Sequence, residues 1–256
     1  MITIGDWRLA IGALALVALA GCPARPAAIP PIDPLAIAAW HGQPQAVAAV
    51  LFLTSIDPRG ERTSVTLNLW HAANGRTRVL LTKVDHDVLS ALISSDGSFT
   101  AYAPRSDRKT SGELADPQLP SGLADLRLLV AEIVDGPLPP GFVAGSDDQS
   151  NILTGRSGNF QTRITVDPIS TEVREKTLSQ ADGRLVYHLR YTQYKAFDGL
   201  HRPYKVEATA SDGSTLIAYL RRFDALGDIS AERMRLNIPA SAQAVVPADF
   251  LEHLDQ

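Results

Sequence analysis

The sequence predicts a mainly β fold of the α+β kind, in which one curved antiparallel sheet carries a single central helix on its concave side. Three observations lead there. Apolar and polar residues alternate with period two over many segments, turn signals recur between those segments, and one stretch in the middle of the chain has helical spacing instead.

The elements follow in chain order. Residues 35–43 read as a short helix ended by Gly42 and Pro44. Strands are expected over 46–56, around Val65, Leu67 and Leu69, and over 76–84, 86–95 and 98–103. After the middle segment come 159–167, 171–179, 184–195, 202–210 and 214–223. That makes about 10–11 strands. Asp57-Pro58-Arg59-Gly60, Asn74-Gly75, Asp96-Gly97, Asp182-Gly183 and Asp212-Gly213 supply the positive-φ residues that tight antiparallel turns need, so the strands form meanders. The central helix begins at Ser121, runs to Asp135 and presents Leu123, Leu126, Val130, Ile133 and Val134 on one face. Gly136 and Pro137 stop it, and the Pro- and Gly-rich residues 136–150 read as a loop.

Composition bounds the function. A net charge of −4, with acidic and basic residues interspersed, leaves no basic stripe for phosphates and argues against a nucleic-acid partner. The amino terminus is more specific. Arg8 is followed by an apolar run, Leu9 to Ala20, too short to span a bilayer and suited to a signal peptide covering 1–21. Leu19-Ala20-Gly21-Cys22 resembles the lipobox of bacterial lipoproteins, with Leu19, Ala20 and Gly21 as the peptidase recognition residues and Cys22 as the lipidated one. Cys22 is the only cysteine, which rules out a disulfide within the chain. Residues 22–34, with five prolines, read as the lipidated cysteine and a stiff tether, and 35–256 as a single domain. The expected partner is therefore the membrane, reached through Cys22. Pro23, where an aspartate would commonly retain a lipoprotein at the inner membrane, points to the outer membrane facing the periplasm.

The order of elements resembles the LolA and LolB group of bacterial envelope lipoprotein carriers and receptors over nearly the whole mature chain. Ser98 to Pro104, with its Tyr102-Ala103-Pro104, is similar to that family's strand leading to the central segment. Tyr194 to Tyr204 is similar to its entry into a late strand, and Arg233 to Ala242 to its closing strand. The resemblance implies an incomplete antiparallel β-barrel whose hydrophobic cavity accepts an acyl chain or a lipidated polypeptide, with a role in lipoprotein or lipid sorting or envelope maintenance. It implies no enzyme activity and no cofactor. One departure stands out. LolB-type receptors carry an exposed hydrophobic loop between early strands, whereas the corresponding turn here, Lys83 to Asp87, reads as short and charged, with no protruding apolar residue in the preceding turn either.

Strand parity and helix spacing give the candidate cavity lining as Val65, Leu67, Leu69, Leu126, Val130, Leu185, Tyr187, Leu189 and Tyr191. An ordinary filled core, with an outer face recruiting a protein partner, is the alternative reading of the same residues. Catalytic signatures are lacking. Asp85-His86-Asp87 reads as a solvated turn because strand neighbours point to opposite faces, and no metal site is called for. Gly155-Arg156-Ser157-Gly158 reads as a turn without a nucleophile elbow, which leaves hydrolysis a remote alternative. His188, His201 and Arg202 read as polar-face residues, and Arg76, Arg78, Arg221 and Arg222 as alternating exposed positions.

Overall fold

The computed structural model describes Asp33, Ile37, Gly42 and residues 44–251, except 85, 115, 117–120, 139–142, 145–150 and 158–159, and except the side chains of 121–127, 143, 144, 157 and 251. The expected signal peptide, Cys22, the expected tether apart from Asp33, and most of the helix expected over 35–43 lie outside the described residues. Ile37 is buried in the main core.

In chain order the elements are β1 (Ala46–Ile56), β2 (Arg62–His71), β3 (Thr77–Lys83), β4 (His86–Ile93), β5 (Ser98–Ala103), β6 (Arg108–Glu113) and α1 (Ser121–Val134). Then come β7 (Val143–Ala144), β8 (Ile152–Ser157), β9 (Phe160–Val166), β10 (Val173–Ser179), β11 (Leu185–Phe197), β12 (Leu200–Ala210), β13 (Thr215–Leu226), β14 (Gln243–Ala244) and α2 (Pro247–Leu251). All the described strands belong to one open 14-stranded sheet in the order β14-β6-β5-β4-β3-β2-β1-β13-β12-β11-β10-β9-β8-β7. It comprises two meanders joined where β1 pairs antiparallel with β13. Helix α1 lies in the chain between β6 and β7, strands near opposite ends of the sheet, and packs on its inner face.

Four of the hairpins are built by one local device. The side-chain oxygens of Asn74, Asp96, Asp182 and Asp212 accept the N–H of Arg76, Ser98, Arg184 and Ser214, two residues on. The glycine between them takes φ of +79° to +90°. These are the turns the sequence marks.

The sheet has more strands than expected, and the additions have a common cause. Strand β6, Arg-Lys-Thr-Ser-Gly-Glu, has no apolar residue to alternate; only Thr110 is buried, opposite Ala101. Strand β8 contains Gly155 and Arg156, so the expected turn over 155–158 is corrected: these residues pair with Thr162 and Gln161 of β9. Strands β7 and β14 are too short to carry a pattern.

The closing strand expected over Arg233 to Ala242 is a second correction. Met234 stands in a turn, and the residues after it up to Ala242 form no strand. The reason is geometric: β1 and β13 already pair with each other, so no open edge remains beside β13. The segment instead lies over the outer face of the first meander, where Ile229 and Met234 pack with Ala46, Ala48 and Ala72 against Trp70 and Leu92. Arg78 Nη1 donates to Arg233 O at 2.8 Å and its guanidinium lies over the Trp70 ring. Beyond the crossing, β14 pairs parallel with the edge strand β6. Phe250 of α2 then inserts among Leu89, Ala91, Ile93, Phe99 and Ala101. Gly112 leaves room there, since a Cβ would come within 3.1 Å of the Phe99 ring. An edge strand offers unpaired N–H and C=O groups to other chains, and this strap covers one such edge.

Two predictions follow from this packing. Phe250→Ala removes a fully buried ring and should cost about 3–5 kcal/mol in urea unfolding, with self-association as the β6 edge loosens. The second concerns the β9–β10 turn, where the N–H groups of Ser170 and Ile169 and then the Arg174 guanidinium hold the Asp167 carboxyl down to about 2. A lowered folded value gives stability that is present above the ordinary value of 3.8 and lost as pH falls through about 2. Unfolding curves between those limits should therefore steepen against pH for the wild type and flatten for Asp167→Asn.

Candidate functional site

The interior lies between α1 and the inward-facing side chains of both meanders. Odd-numbered residues of β1 to β3, Val47, Ala49, Leu51, Leu53, Leu67, Leu69 and Val79, meet Ile164, Val166, Leu178, Leu189, Tyr191, Val206 and Leu220 from the second meander. Leu129 and Ile133, one helical turn apart on α1, complete this cluster. The helix ends where Asp135 N–H bonds Ala131 O at 2.8 Å and Gly136 takes φ +80°.

Near the ends of β11 to β13 the filling stops. Leu128, Leu129 and Glu132 of α1 face Tyr187, Leu189, Val206, Leu216 and a floor of Ala208, Ala210 and Ala218 across a cavity, with Ser55, Ser214 and Thr215 at its rim. Its free space for the centres of water molecules is about 40 Å³. The alanines create this space, because a larger side chain at any of them would fill it.

Glu132, which lines the cavity, also belongs to a buried polar cluster. Lys176 Nζ donates to Glu132 Oε1 at 2.5 Å, and Tyr191 Oη donates to Glu132 Oε2 at 2.6 Å. All three residues are at most 7% exposed. Lys176 of β10 pairs with Leu189 of β11, two residues before Tyr191, so both donors project from one patch of the sheet towards the helix. Burial, with the Glu132 carboxylate beside it, pushes the Tyr191 phenol well above its usual value and keeps it a donor.

Beyond the helix C-terminus lies Arg202 of β12, 2% exposed. Its Nη2 donates to Gly42 O at 2.9 Å, and its guanidinium lies 5.0 Å from the centre of the Phe223 ring. Burial pulls its pKa down to about 10. The guanidinium crowds Gly136, where a Cβ would clash with Nη1. The polar-face reading of this pair is thereby corrected: Arg202 is core, and His201 is half-buried, stacked on Tyr194 with ring centres 5.3 Å apart. His188 is on the outer side, 3.6 Å from Glu175.

The residues proposed from parity separate into groups. Leu67, Leu69, Leu189 and Tyr191 are buried, while Val65, Val130 and Tyr187 pack on the core at intermediate exposure. Only Tyr187 and Leu189 of the nine line the cavity. The side chain of Leu126 lies outside the described residues. Leu185 is 42% exposed, against the inward position parity assigns it. A bulge explains this: Leu178 pairs with Tyr187 but Ser179 with Leu185, so Val186 is an extra residue and the alternation slips. Glu132 and Lys176 were legible as charges at inward positions, one between Leu129 and Ile133, the other two residues before Leu178, but neither stands out until the two are brought together.

The β3–β4 turn also differs from its charged reading. Val84 stands at 87% exposure with φ +44°. A β-branched residue in that conformation is strained, and here no burial offsets the strain. An apolar side chain does protrude from this loop.

No protein-family model matches the sequence, and no curated protein matches it. Solved structures do match in fold. A LolA superfamily protein from Nitrosomonas europaea superposes with a TM-score of 0.53 at 10% identity, covering 80% of this chain and 98% of that one. A putative outer membrane lipoprotein-sorting protein domain from Vibrio parahaemolyticus gives 0.54 at 9% identity, over 80% and 96%. A DUF1329 family protein from Desulfovibrio piger gives 0.57 at 12% identity, over 79% and 95%. The chain has the fold of the LolA superfamily.

The buried cluster makes a quantitative prediction. Lys176→Met or Glu132→Gln alone leaves an unpaired charge inside and should cost about 3–5 kcal/mol. The double variant Lys176→Met with Glu132→Gln keeps the acceptor for Tyr191 and should recover most of that loss in a double-mutant cycle read by urea unfolding.

Proposed function

We propose that this LolA-type half-barrel is held at a membrane by lipid on Cys22 and binds an acyl chain, of a lipid or a lipidated polypeptide, between α1 and the inner face of the sheet. Its role is then in lipoprotein or lipid sorting, or envelope maintenance, without catalysis. The observation that carries the reading is the apolar cavity under α1, floored by Ala208, Ala210 and Ala218. Ligand pockets typically take about 300–1,000 Å³, far more than the free space present. Binding therefore requires α1 to move away from the strands, widening the cavity from its rim.

The tether supports the same reading. Two or three acyl chains on Cys22 make membrane attachment effectively permanent, and a stiff proline-rich spacer keeps the domain close to the bilayer. A protein so anchored suits a receptor or binder better than a soluble shuttle. Val84, strained and exposed, offers an apolar contact to a membrane at the tip of the β3–β4 hairpin.

A second reading is favoured by the filled state of the core. In it, the fold is solid and a protein partner binds outside, where Phe52 pairs with Tyr219 beside Tyr204, Arg221 and Lys195. Native mass spectrometry of gently extracted protein, together with crosslinking in cells, separates the two. Co-purified lipid or acyl-peptide mass is expected from the first reading, and a lipid-free chain with one dominant protein crosslink from the second. Cys22→Ala should abolish lipid labelling and leave an uncleaved or mislocalised precursor; normal processing would remove the tether.

A further inference from the structure

We infer that the acyl ligand carries an acidic head, and that Glu132 occupies the place of that head in the unliganded protein. The inference rests on the acyl-binding reading and specifies its ligand class.

The geometry supporting it concerns which partner moves. Lys176 and Tyr191 belong to adjacent strands in the middle of the second meander, held by the β10–β11 and β11–β12 ladders. Glu132 belongs to α1, the element that must shift for an acyl chain to enter. The two donors address the two oxygens of one carboxylate separately, an arrangement any carboxylate or phosphate monoester can satisfy. Glu132 also lines the cavity and touches both donors, so it alone stands between the cavity and them, and no other ionised group is among the described lining residues.

Displacing α1 with a neutral ligand would deprive the buried Lys176 ammonium of its ion-pair partner Glu132, leaving at most the more distant charge of Asp135 at the end of the same helix, which is strongly unfavourable. A ligand with an oxyacid at the inner end of its chain replaces the departing carboxylate atom for atom: the ammonium and the phenol each keep one charge-assisted hydrogen bond. The cluster then acts as a selector. Its closed state is satisfied by Glu132, its open state by the ligand acid, and a plain hydrocarbon or alcohol satisfies neither.

The test uses three probes with the same twelve-carbon chain: dodecanoate, dodecyl phosphate and dodecanol, each titrated calorimetrically into the purified protein. One or both acids should bind at least about tenfold more tightly than the alcohol, the scale of a hydrogen bond to a charged group. The difference between dodecanoate and dodecyl phosphate tells carboxylate from phosphate ligands. Glu132→Ala, which frees the donors, should strengthen acid binding further. Tyr191→Phe, which retains the ring and the ion pair, should weaken acid binding and leave dodecanol unchanged. In the Lys176→Met with Glu132→Gln double variant the preference should vanish. Equal affinity for all three probes would overturn the inference while leaving the acyl-binding reading in place. Absence of binding by every probe, in the wild type and in Glu132→Ala alike, would overturn both.

Discussion

The pairing of β1 with β13 is the constraint on which the rest of the molecule depends. It joins the first strand of one meander to the last long strand of the other, register-matched from Ala46 opposite Leu226 to Ile56 opposite Thr215 with one bulge, where Arg221 is the extra residue facing Val50 and Leu51. Once these strands are zipped together in the middle, the remaining strands must spread outwards to both sides. The chain can then pass from β6 to β7 only by leaving the sheet, which it does in the segment containing α1. The helix covers the inner face for the same reason: it lies on the connection between the two ends, and that face is apolar over strands of both meanders.

An open sheet also leaves edges, and the chain manages one of them with residues far away in sequence. The segment after β13 crosses the outer face, buries Ile229 and Met234 there, lays β14 along β6 and inserts Phe250 into the inner face. The first meander is thereby covered on its outer face over β1, β2 and β4, and on its inner face and edge at β4 to β6. Such a strap gives the sheet a definite end without closing the barrel.

Inside, the placement of α1 depends on polar as well as apolar contacts. Leu129 and Ile133 supply hydrophobic burial but would tolerate small shifts along the sheet. The Glu132 carboxylate, held by Lys176 and Tyr191, does not, since hydrogen bonds of 2.5 and 2.6 Å set the helix in one position. Buried ion pairs add little net stability because desolvation offsets their attraction. Their value lies in specifying one arrangement, and here that arrangement places an acidic group against an otherwise apolar cavity.

The sequence by itself made much of the local structure legible: the Asx-Gly turns, most of the long strands and the bounds of α1, although Gly155 and Arg156 read as a turn and lie in β8. Those features depend on short-range physics, Asx-Gly hydrogen bonding at the hairpins, period-two alternation in β2 and β11, and Gly136 at the helix end. It left β6 and β8 hidden, because strands without alternating apolar residues owe their existence to neighbours that supply the ladder. Tertiary structure decided the rest. The bulge at Val186 that turns Leu185 outward, the crossing of Arg233 to Ala242 over the first meander, and the meeting of Glu132 with Lys176 each depend on which strand lies beside which. That ordering is fixed by long-range pairing between segments that carry no mark of their partners.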